Sequence, residues 1–113
     1  MTTIAEDRAD ALFHALADRT RRDILRRVLA GEHSVTALAA RYEMSFAAVQ
    51  KHVAVLERAG LVTKQRRGRE QLASGDVAAV RSVAGMLAEL EEIWRGRIAR
   101  IDELIASEPV KED

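Results

Sequence analysis

The 113 residues suffice for one domain with a modest core, and with aromatics at 4% that core must be built mainly from Leu, Ile, Val and Ala. The absence of cysteine excludes disulfides and thiolate metal sites, and no stretch approaches the length of a membrane span. Net charge is zero, yet residues 41–70 carry seven basic and three acidic side chains, whereas residues 76–113 carry five basic and nine acidic.

That segregation places positive charge at the centre of the chain and negative charge toward its C-terminus. The opening MTTIAEDRADAL lacks the basic start and apolar core of a signal peptide. The expectation is a soluble, cytoplasmic protein.

A first helix is predicted over residues 4–17, with Ile4, Ala11, Leu12, Ala15 and Leu16 as its apolar band. Asp18 is placed to cap a second helix running to Ala30, with Ile24, Leu25, Val28 and Leu29 facing the core and Gly31 ending it. The pairs Arg21-Arg22 and Arg26-Arg27 then fall on its outer side, balanced by Asp18 and Asp23. Residues 32–35 read as a short link containing a strand pair. Thr36 is expected to cap a third helix, with Leu38, Ala39 and Tyr42 inward, before a turn at Glu43-Met44.

The most informative stretch follows. Ser45 is a strong N-cap, and Phe46, Val49, Val53 and Leu56 recur at helical spacing as one apolar stripe. At about 100° per residue, Ala47, Lys51, Ala54 and Arg58 lie on the opposite face with Gln50 on its flank. Ala59-Gly60-Leu61 makes a C-terminal stop in which Gly60 takes the left-handed conformation. Residues 61–66 and 70–73 form a hairpin with Gly68 near its tip, ended by Ser74-Gly75. A short capped helix with a bare leading face, followed by a hairpin bearing Lys64, Arg66, Arg67 and Arg69, is a DNA-reading pattern.

Asp76 caps a last helix over residues 77–106, on which Val80, Val83, Leu87, Leu90, Trp94, Ile98, Ile101 and Ile105 form one long stripe. Such a helix is about 45 Å long, more than a body of this size covers, so a homodimer built on this helix and the first is expected. Gly85 and Gly96 weaken it by roughly 1 kcal/mol each and are candidate break points. Pro109 and the charged tail end the ordered chain.

The runs MSFAAVQKHVAVLERAGLV and ALADRTRRDILRRVLAGE, each in its expected place and the former followed by a basic hairpin, resemble the ArsR/SmtB family of winged helix-turn-helix transcriptional regulators. The resemblance covers roughly residues 12 to 75, with a weaker extension into the last helix. It departs at Arg19, where a proline is common, and at Gln50, where a serine is frequent. It implies a mainly α fold of five helices plus a two-stranded wing, dimerising through the N- and C-terminal helices. The corresponding boundaries are a single domain over 1–106 (helix-turn-helix 36–60, wing 61–75, dimerisation helix 76–106) and a tail over 107–113.

The resemblance also carries site residues. Ala47, Gln50 and Lys51 match positions that face the major groove, with Ser45 and Ala48 at the phosphate-facing start. Chemically, Gln can pair with adenine, Lys with guanine or phosphate, and Ala can touch a thymine methyl. His52, at the edge of the apolar stripe, suits packing or one phosphate contact. In the wing, Lys64, Arg66, Arg67 and Arg69 suit phosphates or the minor groove, and Gly68 allows the tight turn. The dimer interface is expected at Leu12, Leu16, Val80, Val83, Leu87, Leu90, Trp94, Ile98 and Ile101.

Many relatives sense metals through cysteines on the third helix or an Asp/His/Glu set on the last. Asp76, Glu89 and Glu92 have approximately that spacing, but no histidine accompanies them and an all-carboxylate set suits zinc or nickel poorly. No metal site, cofactor or catalytic set is expected. The reading is therefore a homodimeric, DNA-binding repressor acting at an inverted repeat, with no membrane partner and no identified small-molecule effector. Two alternatives stay open: a helical protein-interaction module, and a ligand or metal sensor with its site at the dimer seam.

Overall fold

The structure, a computed structural model, describes residues 4–107. The Ile4 side chain, Pro109 and the charged tail lie outside the described residues. Five helices and three strands follow in the order α1 (Ile4–Leu16), α2 (Arg19–Ala30), β1 (His33–Ser34), α3 (Val35–Ala39), α4 (Phe46–Arg58), β2 (Val62–Arg67), β3 (Glu70–Gly75) and α5 (Val77–Ser107). They fall into two units, one through Val83 and the other from Ala84.

In the first unit, apolar periodicity becomes a single core. Ile24 of α2, Leu38 of α3, Val49, Val53 and Leu56 of α4, Leu61, and Val62 of β2 are all fully buried. Burying each such side chain contributes roughly 1.5–3 kcal/mol. Leu12 and Ala15 of α1 close one side of this core, whereas Ala11 is exposed.

The helices begin where side chains can satisfy their first amides. Asp18 accepts from Arg21 N–H at 2.9 Å, Ser45 from Ala48 N–H at 3.1 Å and Asp76 from Ala78 N–H at 2.9 Å. The cap of α3 is Ser34 rather than Thr36. Its hydroxyl accepts from Ala37 N–H at 3.0 Å, because the helix starts earlier to bury Val35. Gly31 ends α2 with an extended backbone, its N–H donating to the Arg27 carbonyl, and not in a left-handed turn.

Gly60 is left-handed, at φ +82°. Its N–H donates to the Glu57 carbonyl and the Leu61 N–H to the Leu56 carbonyl, each at 3.0 Å. This paired closure turns the chain sharply from α4 into β2.

The predicted hairpin is present and becomes part of a three-stranded antiparallel sheet of order β1-β3-β2. The link at residues 33–34 supplies the third strand, too short to announce itself by alternation. Arg67 faces Glu70 across the turn, where Gly68 has φ +64° and Arg69 a negative φ, the sign pattern of a II′ hairpin turn. Ser74 and Gly75 do not break the hairpin but are the last two residues of β3. They stay in register with Thr63 and Val62, because Gly75 lies against Leu29: a Cβ there would stand 2.5 Å from Leu29 Cδ2. Leu29 itself is 41% exposed instead of facing the core.

The last helix, α5, runs without a break past Gly85 and Gly96. Its first part buries Val83. In the second unit Leu87, Leu90, Ile93, Trp94, Ile98, Ile101, Leu104 and Ile105 are all exposed.

Candidate nucleic-acid interface

The face of α4 turned away from the core carries Ala47, Gln50, Lys51 and Arg58, all exposed, with Ser45 exposed at its start. Ala48 is half-buried. Phe46, expected in the apolar stripe, is 46% exposed while Val49 and Val53 are at 0% and 1%. As the first residue of the helix it lies at the edge of the stripe, beyond the reach of the packing that covers the next two turns.

His52 is turned toward α2. Its Nδ1 lies 3.4 Å from an Arg21 nitrogen and 3.9 Å from Asp18 Oδ1, leaving the side chain 23% exposed. Of the two roles expected of His52, packing or one phosphate contact, the contacts within the chain are those of packing against the start of α2.

Behind α4, the wing is tied to the body at two places. Lys64 Nζ is 3.3 Å from Glu57 Oε1 at the end of α4, and Arg67 Nη1 is 3.3 Å from Glu32 Oε1 beside β1. Because strand side chains alternate, Lys64 and Arg66 share one face of β2 and Arg67 occupies the other. The wing cations therefore do not all lie on one face. Lys64 is committed to α4, Arg67 to the β1 side, Arg66 reaches the Gly68 carbonyl at 3.3 Å, and Arg69 is exposed at the tip.

Two arrangements that sequence reasoning missed tie α2 to its neighbours. Arg21 donates to the Ala15 and His14 carbonyls at 2.7 and 2.9 Å, and Arg22 to the Leu16 carbonyl at 2.8 Å. These arginines, placed by helical pattern on a solvated face, instead satisfy the open carbonyls at the end of α1. The second arrangement fixes the turn between α3 and α4. Tyr42 O–H donates to Asp23 Oδ2 at 2.6 Å, Arg27 donates to the same oxygen at 3.0 Å, and the Arg27 guanidinium lies 5.9 Å from the Tyr42 ring centroid.

The hydrogen bond from Tyr42, then that from Arg27, holds the Asp23 carboxyl below its ordinary value, while burial and the bond to Asp23 push the Tyr42 phenol up. The amide of Arg21 likewise lowers Asp18. The i, i+4 spacing of Asp23 and Arg27 is a readable signal. Nothing local joins either to Tyr42.

Among the described residues no three His, Asp or Glu side chains gather as a metal-binding group. The predicted interface residues divide. Leu12 and Val83 are already buried within one chain, whereas Leu16 and Val80 are half-buried and Leu87, Leu90, Trp94, Ile98 and Ile101 are exposed.

A capped helix presenting small and polar side chains, joined to a basic wing, is the geometry of a helix-turn-helix, and residues 16–65 match the family model described as a helix-turn-helix domain. The chain is 32% identical over 99 residues to the HTH-type transcriptional regulator Rv2034 of Mycobacterium tuberculosis, covering 88% of this chain and 90% of that protein. It is also similar to the solved structure of an ArsR-like transcriptional regulator from Rhodococcus sp. RHA1, with a TM-score of 0.76 and 31% identity over 87% of this chain and 92% of the other. The chain belongs to the ArsR family of transcriptional regulators. A further similar structure is the homodimeric winged helix-turn-helix DNA-binding domain Mb0332 from Mycobacterium bovis, with a TM-score of 0.60 and 26% identity over 83% of this chain and 84% of that domain. As an ArsR-family regulator with a helix-turn-helix domain, the chain is a DNA-binding protein.

Proposed function

We propose that this ArsR-family regulator is a homodimeric repressor that binds an inverted repeat in promoter DNA. The observation that carries the reading is the joint between α4 and the wing. Lys64 of β2 pairs with Glu57 in the last turn of α4, the helix whose exposed side chains include Ala47, Gln50 and Lys51, and Arg66 and Arg69 stand exposed farther along the same hairpin. In this reading Gln50 and Lys51 meet base edges, Ser45 lies at the phosphate-facing start, and Arg66 and Arg69 take flanking phosphates.

Dimerisation is supported by the exposed stripe of α5, a surface too apolar to remain in water, and by the homodimeric state of the M. bovis domain. Two copies would set their recognition helices in successive major grooves, about 34–36 Å apart. Repression then follows from occupying promoter DNA, without catalysis.

The test is fluorescence anisotropy of the full chain on its own upstream DNA against scrambled DNA, at two salt concentrations. Selective binding, with log K falling by about 0.9 per neutralised phosphate for each tenfold rise in salt, supports the reading. Equal, weak binding to both DNAs counts against it.

A further inference from the structure

The first turn of α4 offers unusual chemistry for a helix end that meets DNA. Ser45 Oγ is occupied by the Ala48 amide at 3.1 Å. The residues that follow it, Phe46, Ala47 and Ala48, contain no side-chain donor or acceptor. The only large group there is the Phe46 ring, 46% exposed, with no ring or cation contact among the described residues.

A single exposed apolar side chain is ordinary on a protein surface. This one differs in its neighbours. Phe46 and Gln50 are i and i+4 on the same flank of α4, one directly above the other. Gln50 is exposed, so the ring forms an apolar step beside an amide.

The major groove presents hydrogen-bonding groups at every base pair but only one apolar group, the thymine C5-methyl. Residues 46 and 50 stand about 6 Å apart along the helix axis, near enough for their side chains to reach neighbouring base pairs, which are about 3.4 Å apart along the duplex. We infer that Phe46 is a specificity-determining residue that packs on a thymine methyl within about two base-pair steps of the adenine paired with Gln50. This inference rests on the DNA-reading role of α4 given above. The ring gains burial only when a methyl lies opposite, so the preference is for thymine over cytosine.

The experiment substitutes the DNA before the protein. A bound sequence is selected from random duplexes by the wild-type protein. Its half-site thymines are then replaced one at a time by deoxyuridine, which removes the methyl and leaves every hydrogen-bonding group. Loss of one buried methyl lowers affinity roughly fourfold, and about fifteenfold when both half-sites are changed. Phe46→Ala is measured on the same duplexes. It should bind the thymine site as weakly as the wild type binds the deoxyuridine site, and be insensitive to the replacement. Its thermal melt should fall only modestly, since the ring is half in water, and both proteins are compared at a temperature where each is folded.

Wild-type protein that selects its sequence yet ignores every deoxyuridine replacement, or a selected half-site without thymine, overturns the inference and leaves the DNA-reading role intact. A Phe46→Ala variant that still responds fully to deoxyuridine assigns the methyl contact elsewhere and overturns it too. Failure to select any sequence overturns both.

Discussion

Gly75 lies where β3 passes α2, and replacing it with alanine tests the packing that sets the base of the wing. The added Cβ would stand 2.5 Å from Leu29 Cδ2, 2.7 Å from Cγ and 3.0 Å from Cα, against a normal carbon contact of about 3.5–4.0 Å. The side-chain atoms can yield, because Leu29 is 41% exposed and has solvent to swing into. The Cα cannot, so α2 and β3 must separate by about 0.5–1 Å.

Overpacking of this kind costs about 1–3 kcal/mol, partly offset by about 0.4–1 kcal/mol from the stiffer unfolded chain. The expected net loss is about 1–2 kcal/mol, or about 4–16 °C in Tm for a body of this size. Urea and thermal denaturation of Gly75→Ala, Leu29→Ala and the double variant would measure it. Leu29→Ala should recover the side-chain part of the clash, giving a coupling of about 0.5–1.5 kcal/mol between the two sites. A Gly75→Ala protein as stable as the wild type would refute the close approach.

Three other outcomes are expected. Asp18 and Asp23 both have folded pKa values below their unfolded ones, so their contribution is present above the unfolded value near about 3.9 and is lost as pH falls through the depressed values. In melts between about pH 5 and pH 2, Asp23→Asn should show a shallower acid decline than the wild type, and an unchanged decline would contradict the stabilising role of the carboxylate. In the wing, Arg66→Ala and Arg69→Ala should each weaken DNA binding and flatten its salt slope by about 0.9 for every phosphate left without its cation. Arg67→Ala, on the Glu32 side of the hairpin, should change the slope less, and equal effects in anisotropy titrations would contradict the division of the wing into two faces. Finally, Trp94→Asp should convert dimers to monomers in sedimentation and weaken DNA binding; dimers of unchanged affinity would rule out α5 as the dimer seam.

The departures from expectation have a common character. Ser34 displaces Thr36 as a cap because helix α3 starts earlier to bury Val35. Periodicity assigns Phe46 to the core, yet at the start of α4 its ring stands 46% exposed. Charge counting makes the wing one cationic cluster, but strand alternation and the acids Glu57 and Glu32 divide it. Each outcome depends on packing that lies beyond the local pattern of the residue it moves.

Local chemistry is legible from the residues alone. The stops and starts at Asp18, Ser45, Gly60, Gly68 and Asp76 are short-range events, complete within about one helical turn or one hairpin, and the stripe of Val49, Val53 and Leu56 states its own period. These features are enough to expect the helix-turn-helix, the wing and a DNA-facing surface on α4. Tertiary structure alone decides which groups serve the frame. Arg21 and Arg22 close the end of α1, Asp23 receives Tyr42 across 19 residues, His52 meets Arg21 across 31, and Arg67 meets Glu32 across 35. A charged or polar side chain has several equivalent partners along its own helix, and only the packing of remote segments selects among them.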